Sequence, residues 1–269
     1  MTRLFSPLSA VLTLPCLMAV STALAHSPYL KPNTFNPEGA RQTVTVEAAF
    51  AEHDLWPEVA MTSEHFSVTG PDGVTRPLSV AAGTRDVSLL SVPIPGAGTY
   101  RVSSGLRKGR TAKGYIKDND VVFARPDHVP AGVSLVDVTS LTRADVYVTK
   151  GKPDTAALKA AGDGAEILPL SPPWDSVRGE PVRVQVLLHG QPVANARIEA
   201  MVSGQAYRDQ PVPPVILITN AAGEAVLTPA HTGVWLLQTR LRRPLDAADP
   251  ASAWNSFTAT LTLDVLPPT

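Results

Sequence analysis

Prolines punctuate this chain from one end to the other, 26 in 269 residues, and between them run short β-branched stretches with no helical repeat. Each proline removes a backbone donor and fixes φ, so helix interiors exclude it, and the residue before it is pushed toward extended conformations. Apolar runs of period two, broken by Gly, Pro, Asn and Asp, are the pattern of antiparallel sandwiches. The sequence therefore predicts an all-β protein: two tandem immunoglobulin-like antiparallel β-sandwiches joined by a Pro/Gly-rich linker.

The expected strands follow that rhythm. Residues 26–39 form an extended, proline-punctuated lead-in, with Pro28, Pro32 and Pro37. The first strand covers 43–50, and others cover 66–69, 77–81, 87–92 and 99–103. Gly70-Pro71-Asp72-Gly73 is a strong turn signal between two of them. Gly96-Ala97-Gly98-Thr99-Tyr100 is similar to the turn before a late strand of an immunoglobulin-like sandwich, where a tyrosine sits at the corner. Residues 105–110, Gly-Leu-Arg-Lys-Gly-Arg, are expected as a solvated hairpin tip. Residues 133–139 and 144–149 read as a hairpin across Ser140-Leu141-Thr142-Arg143, and 154–161 as a short helix closed by Gly162-Asp163-Gly164. Strands at 182–188, 196–201, 215–219, 225–227, 233–240 and 257–265 complete a second sandwich. The expected boundaries are a sandwich with a hairpin extension over 26–150, a linker over 151–175 and a second sandwich over 176–269. Trp56, Trp174, Trp235 and Trp254 are expected in the core or at the domain interface.

Residues 1–25 have the signature of a signal peptide. Arg3 precedes a short apolar run that Pro15 interrupts, and Ala23-Leu24-Ala25 supplies the small residues of a cleavage site. The single cysteine, Cys16, leaves with this segment, so the mature chain has no thiol and no disulfide, and a core of this size can hold it. The expected location is the periplasm, and no later stretch is apolar enough for membrane insertion after cleavage. With 23 basic and 24 acidic residues and no basic block, nucleic acid is excluded as a partner.

Catalytic machinery leaves no signature. The chain has no Gly-x-Ser-x-Gly elbow, no thiol nucleophile in the mature protein and no phosphate-binding glycine loop. The carboxylate pairs Glu38/Glu47 and Asp118/Asp120 read as solvated turn residues. Metal chemistry remains. Cleavage after Ala25 would leave His26 with a free α-amino group beside its imidazole, two nitrogens able to chelate one ion. His53 lies in a loop with Glu52, Asp54 and Trp56, and a pairing of the lead-in with the first strand would bring that loop near His26. Candidate metal ligands are therefore His26, His53, Glu52 and Asp54. His65, His128 and His189 read as surface loop residues, and His231 as a turn residue or domain contact. Imidazole and carboxylate donors without thiolate favour nickel, cobalt, copper(II) or zinc.

Several stretches, taken in order, resemble one family. They are Ala25-His26-Ser27-Pro28-Tyr29-Leu30-Lys31-Pro32, Val68-Thr69-Gly70-Pro71-Asp72-Gly73, Pro95-Gly96-Ala97-Gly98-Thr99-Tyr100, Asn220-Ala221-Ala222-Gly223-Glu224-Ala225, Gly233-Val234-Trp235-Leu236-Leu237 and 254–262. The family comprises exported proteins described as periplasmic components of nickel or cobalt uptake systems, also catalogued as domain-of-unknown-function family 4198. The resemblance implies a periplasmic β protein that handles a divalent transition metal (nickel, cobalt or copper) and has a membrane uptake system as partner. The expected function is non-catalytic binding of that metal for uptake or delivery. Two alternatives stand beside it: an interaction module for an envelope protein or glycan, and a copper oxidase built on an N-terminal histidine brace, which needs a second histidine beside His26.

Overall fold

The computed structural model describes residues 26–52, 54–124, 129–249 and 251–268; the expected signal peptide lies outside them, as do His53 and His128. In chain order the strands of the first half are β1 (Ser27–Pro32), β2 (Thr43–Ala51), β3 (Val59–Ala60), β4 (Ser67–Thr69), β5 (Thr75–Pro77), β6 (Val80–Gly83), β7 (Ser88–Pro93), β8 (Gly98–Ser103), β9 (Arg107–Lys117), β10 (Asp120–Phe123) and β11 (Leu135–Lys150). Those of the second half are β12 (Ala165–Pro169), β13 (Val182–Leu188), β14 (Gln191–Pro192), β15 (Arg197–Val202), β16 (Val215–Ile218), β17 (Glu224–Leu227), β18 (Gly233–Pro244) and β19 (Ala253–Val265). The protein is all-β, as expected, and its helical content among the described residues is two single 3-10 turns, Ala156–Leu158 and Gln205–Tyr207. No helix among those residues is long and apolar enough to cross a membrane.

Three sheets form. The first runs β1-β2-β7-β6, with β3 also on β2. The second is long, β16-β15-β18-β19-β11-β8-β4-β5, with β9 on β11 and β10 on β9. The third holds β12-β13-β14, with β17 on β13. All ladders between these strands are antiparallel except one: β11 runs parallel to β19 from Asp137↔Ala253 to Val146↔Thr262. That ladder fuses the halves into one continuous sheet.

Side-chain alternation along β11 then serves two cores, because successive residues of a strand point to opposite faces. Ala144, Val146 and Val148 join Leu30, Val46, Leu90 and Tyr100 in a core against the first sheet. Tyr147 faces the other way, with Ile167, Val184, Trp235 and Leu261, in a core against the third sheet. Residue 145 on that second face is charged: the buried Asp145 takes Arg101 of β8, which also reaches Glu166 of β12. Burying so much apolar surface stabilises the fold by roughly 25 cal/mol per Å².

Five expectations change. The hairpin expected across residues 140–143 is instead the uninterrupted β11, since Ser-Leu-Thr-Arg has no residue that demands a turn and every position finds a partner on β9, β8 or β19. The lead-in is a strand: β1 pairs with β2 from Ser27↔Ala51 to Pro32↔Val46, and its prolines are tolerated because β1 is a sheet edge. Residues 107–110 open β9 rather than a hairpin tip, and Arg107 donates to the Thr62 carbonyl while stacking over Phe50. The expected helix over 154–161 shrinks to one 3-10 turn, and the segment 151–175 that connects the cores also supplies β12. Of the tryptophans, Trp235 and Trp254 are buried, whereas Trp56 is 55% exposed. Tyr100 is a corner residue as expected: its hydroxyl donates to the Gly96 carbonyl at 2.9 Å and accepts the Gly96 N–H at 3.1 Å.

Candidate metal centre

β2 is the central strand of the candidate site. Its last residues meet β1 on one edge and β3 on the other. The β1 register, Ser27↔Ala51, continues outward to place His26 opposite Glu52. On the other edge Phe50↔Val59 brings Glu58 beside Ala51, and the Glu58 N–H donates to the Phe50 carbonyl at 3.0 Å. Three strand ends thus deliver three ligand-type side chains to one place.

His26, Glu52 and Glu58 each offer a ligand atom within 4.8 Å of the other two. His26 Nε2 lies 2.8 Å from Glu58 Oε2, with both side chains partly exposed. The Glu52 N–H donates to Glu58 Oε1 at 3.1 Å. That contact anchors one oxygen of the carboxylate and leaves the other toward the imidazole. Donors about 2.0–2.2 Å from an ion, at right angles to one another, stand about 3 Å apart. The His26–Glu58 separation matches that edge, so an ion could replace the hydrogen bond with little movement.

The loop that joins β2 to β3 owes its shape to one buried side chain. Leu55 packs with Tyr29, Ala49, Ala51 and Leu236. To reach that cluster the backbone takes left-handed φ angles at two consecutive non-glycine residues, 55° at Asp54 and 52° at Leu55. Such conformations are uncommon, above all for a leucine. Asp54 Oδ2 there accepts the Ala206 N–H at 3.2 Å, from the segment after β15.

Of the expected ligands, His26 and Glu52 come together, Asp54 is directed elsewhere, and His53 lies outside the described residues. Glu58 was not expected. Its signal was the ladder: a short strand pairing back onto β2 after Trp56-Pro57 must place Glu58 at the same end as Glu52. The other described histidines have separate surroundings. His189 Nδ1 accepts the Gly164 N–H and its ring meets Phe257 edge-on, the His231 carbonyl accepts the Trp235 indole N–H, and His65 lies with Glu64 and Arg107 around a separate depression.

A three-sheet β architecture with an imidazole–carboxylate cluster at one strand end defines an all-β protein. Comparison of the sequence with family profiles goes further: the chain belongs to the family described as a domain of unknown function, DUF4198, which matches residues 23–243. Among curated proteins no sequence matches significantly. Among solved structures, the D0-D1 domain of Intimin aligns over 87% of this chain and 97% of its own length, at 13% identity and a TM-score of 0.22. The Escherichia coli adhesin FdeC aligns over 91% and 66%, at 12% identity and a TM-score of 0.23. A DUF4785 family protein from Legionella pneumophila aligns over 78% and 50%, at 10% identity and a TM-score of 0.24.

Proposed function

We propose that this protein binds a divalent transition metal, nickel, cobalt or copper, at His26, Glu52 and Glu58, and passes it to a membrane uptake system without catalysis. The observation that carries this reading is the convergence of the three ligand atoms within 4.8 Å at the end of β2. One imidazole and two carboxylates form a donor set for borderline divalent ions rather than for copper(I). Export with cleavage after Ala25 would add the His26 amine as a further nitrogen. A histidine brace for copper oxidation needs a second imidazole, and His26 supplies the cluster's only one among the described residues.

The test is calorimetry with nickel, cobalt, copper and zinc on the protein cut after Ala25. Glu58→Gln should weaken binding at least tenfold, since even groups that only orient a ligand are worth 10–100-fold. A residue added before His26 should weaken it again. Bound metal should also raise the melting temperature with concentration. Equal affinity in Glu58→Gln and parent would end the metal reading; equal affinity in the extended chain would remove the amine alone.

A second reading, an interaction module for an envelope protein or glycan, has its own observation. Among the described residues β16 pairs only with β15, and Ile216 and Ile218 on it are 45% and 57% exposed. An apolar sheet edge is a template for an added strand. On this reading Ile218→Lys abolishes capture of an envelope protein and leaves metal affinity unchanged; capture that survives the substitution would refute the edge as the docking element.

A further inference from the structure

We propose that the cavity between the outer face of β4, β5 and β8 and the segment 156–163 binds one ring of a neutral sugar, through the hydroxyls of Ser67, Thr69 and Thr75 and the Arg143–Asp163 pair. The strands dictate its floor. Successive residues of β4 and β8 point to opposite faces. Val68, Tyr100 and Val102 enter the core against the first sheet, so Ser67, Thr69, Arg101 and Ser103 share the other face. The ladders set them in rows, Thr75–Thr69–Arg101 and Ser67–Ser103. The polar face of an antiparallel sheet ordinarily meets solvent. Here the segment 156–163 crosses over it, held where the Lys159 carbonyl accepts from Arg101 Nη1. The roof it brings, Ala156, Ala157, Ala160 and Ala161, is too small to fill the gap, and about 400 Å³ stays open. A space of about 150 Å³ already takes a benzene ring, so a hexose ring and its hydroxyls fit.

Charge decides the kind of ligand. Among the described residues the charged ones lining the cavity are Arg101, Arg143, Lys159 and Asp163. Arg101 is spent on Asp145 and Glu166 behind the floor, and Arg143 Nη2 donates to the Asp163 carboxylate and carbonyl. Three cations thus stand against three carboxylates, and no surplus of either sign draws a charged molecule. What remains is unused hydrogen-bonding capacity. Arg143 is 3% exposed and its Nε is enclosed. Its Nη1, in contrast, bonds to nothing among the described residues and is open to solvent. Asp163, with a side chain 57% exposed, keeps its Oδ2 as an acceptor. The Thr69 and Thr75 hydroxyls share one bond at 2.8 Å, which leaves the pair one O–H to give and lone pairs to accept. A fixed donor, a fixed acceptor and hydroxyls that serve as either match the neighbouring hydroxyls of a sugar, each of which donates and accepts. The cavity shares no described residue with the metal cluster or with β16, so the inference rests on neither.

The experiment titrates the full protein, in EDTA, with glucose, galactose, mannose and N-acetylglucosamine, followed by saturation-transfer NMR. At least one should bind saturably. The uronate and the amino sugar of the hexose that binds best should bind no more tightly than it does. Thr69→Val, close in shape and at home in a strand, should weaken binding about fivefold, as for one neutral hydrogen bond. Ala160→Trp, at an exposed roof position, should abolish it, with thermal unfolding as the check that both variants fold. No saturable binding of any of the four sugars, tenfold tighter binding of the uronate or the amino sugar, or binding unchanged in both variants would each overturn the proposal. Because EDTA removes any metal, failure here is distinguishable from failure of the metal site.

Discussion

The buried cation that ties the central sheet to β12 gives the sharpest test of the fold. Arg101 donates from Nε and Nη2 to the two Asp145 oxygens at 3.2 and 2.7 Å, from Nη2 to Glu166 at 3.0 Å and from Nη1 to the Lys159 carbonyl at 3.0 Å. The three side chains are 5%, 1% and 0% exposed. Asp145→Ala removes the bidentate partner and leaves a guanidinium that water cannot reach. Breaking one side of a buried pair costs about 3–5 kcal/mol. At about 2–4 °C per kcal/mol for a chain of this size, the melting temperature should fall by about 6–20 °C. Replacing the whole cluster, Arg101→Met with Asp145→Leu and Glu166→Gln, should recover most of that loss, because none of its three charges is then left alone. Burial by itself would push the Asp145 carboxyl up, but the Arg101 and Arg143 guanidiniums outweigh it and hold the group below its ordinary 3.8. A folded-state value below the unfolded one means stability that is complete above the ordinary value and lost as pH falls through the depressed one. The parent should therefore lose stability in acid below about pH 4, and the triple variant should lose less of it. Urea unfolding across pH measures all three chains. A cost under about 1 kcal/mol for Asp145→Ala is what a solvated pair gives and would refute the dry, load-sharing cluster described above.

Two further outcomes follow from single positions. Gly98 has φ 136°, and a Cβ there would stand 2.3 Å from Pro71 Cγ and 2.5 Å from Asp154 Oδ2; Gly98→Ala should cost about 2–4 kcal/mol from overpacking and backbone strain, measured by urea unfolding, and a near-neutral result would mean the β8 start can shift. Burial, then the Glu47 carboxylate that accepts its O–H, push the Tyr29 phenol far above its usual 10.0, and burial likewise raises Tyr147. Raised folded values mean stability that is present below pH 10 and lost as pH climbs beyond it; in absorbance titrations at 295 nm, Tyr29→Phe and Tyr147→Phe should leave the folded-state signal unchanged up to about pH 11, and a smaller signal in either variant would show that its phenol is accessible.

Much of this architecture was legible because it rests on local pattern. Period-two runs located β2, β7, β8, β13, β15 and β18 to within a few residues, and Gly96 to Tyr100 announced a corner that the structure closes with two hydrogen bonds. What was hidden depends on partners far away in sequence. β11 looked like two strands and a turn because Ser140, Leu141, Thr142 and Arg143 break the alternation; the structure shows why, since the strand serves one core with Val146 and another with Tyr147. β1 was hidden by its prolines, which an edge position excuses.

The candidate site was half legible for the same reason. The chemistry of His26 and Glu52 marks them as ligand-type residues, but nothing local says that they face each other. Once β1 is known to pair with β2, Ser27↔Ala51 makes the meeting of residues 26 and 52 a matter of counting. Glu58 needed a second ladder, the two-residue β3, too short to show any period. Asp54 stands apart from the His26–Glu52–Glu58 cluster for a steric reason that the sequence does carry in part. The only large apolar residue next to it, Leu55, must be buried, and burying it against Tyr29 and Leu236 rotates the loop and carries the Asp54 carboxylate to the Ala206 N–H. One burial event thus separates two carboxylates two residues apart in sequence, Glu52 beside His26 and Glu58 and Asp54 on the Ala206 N–H. A substitution that empties the Leu55 pocket should therefore disturb both arrangements at once.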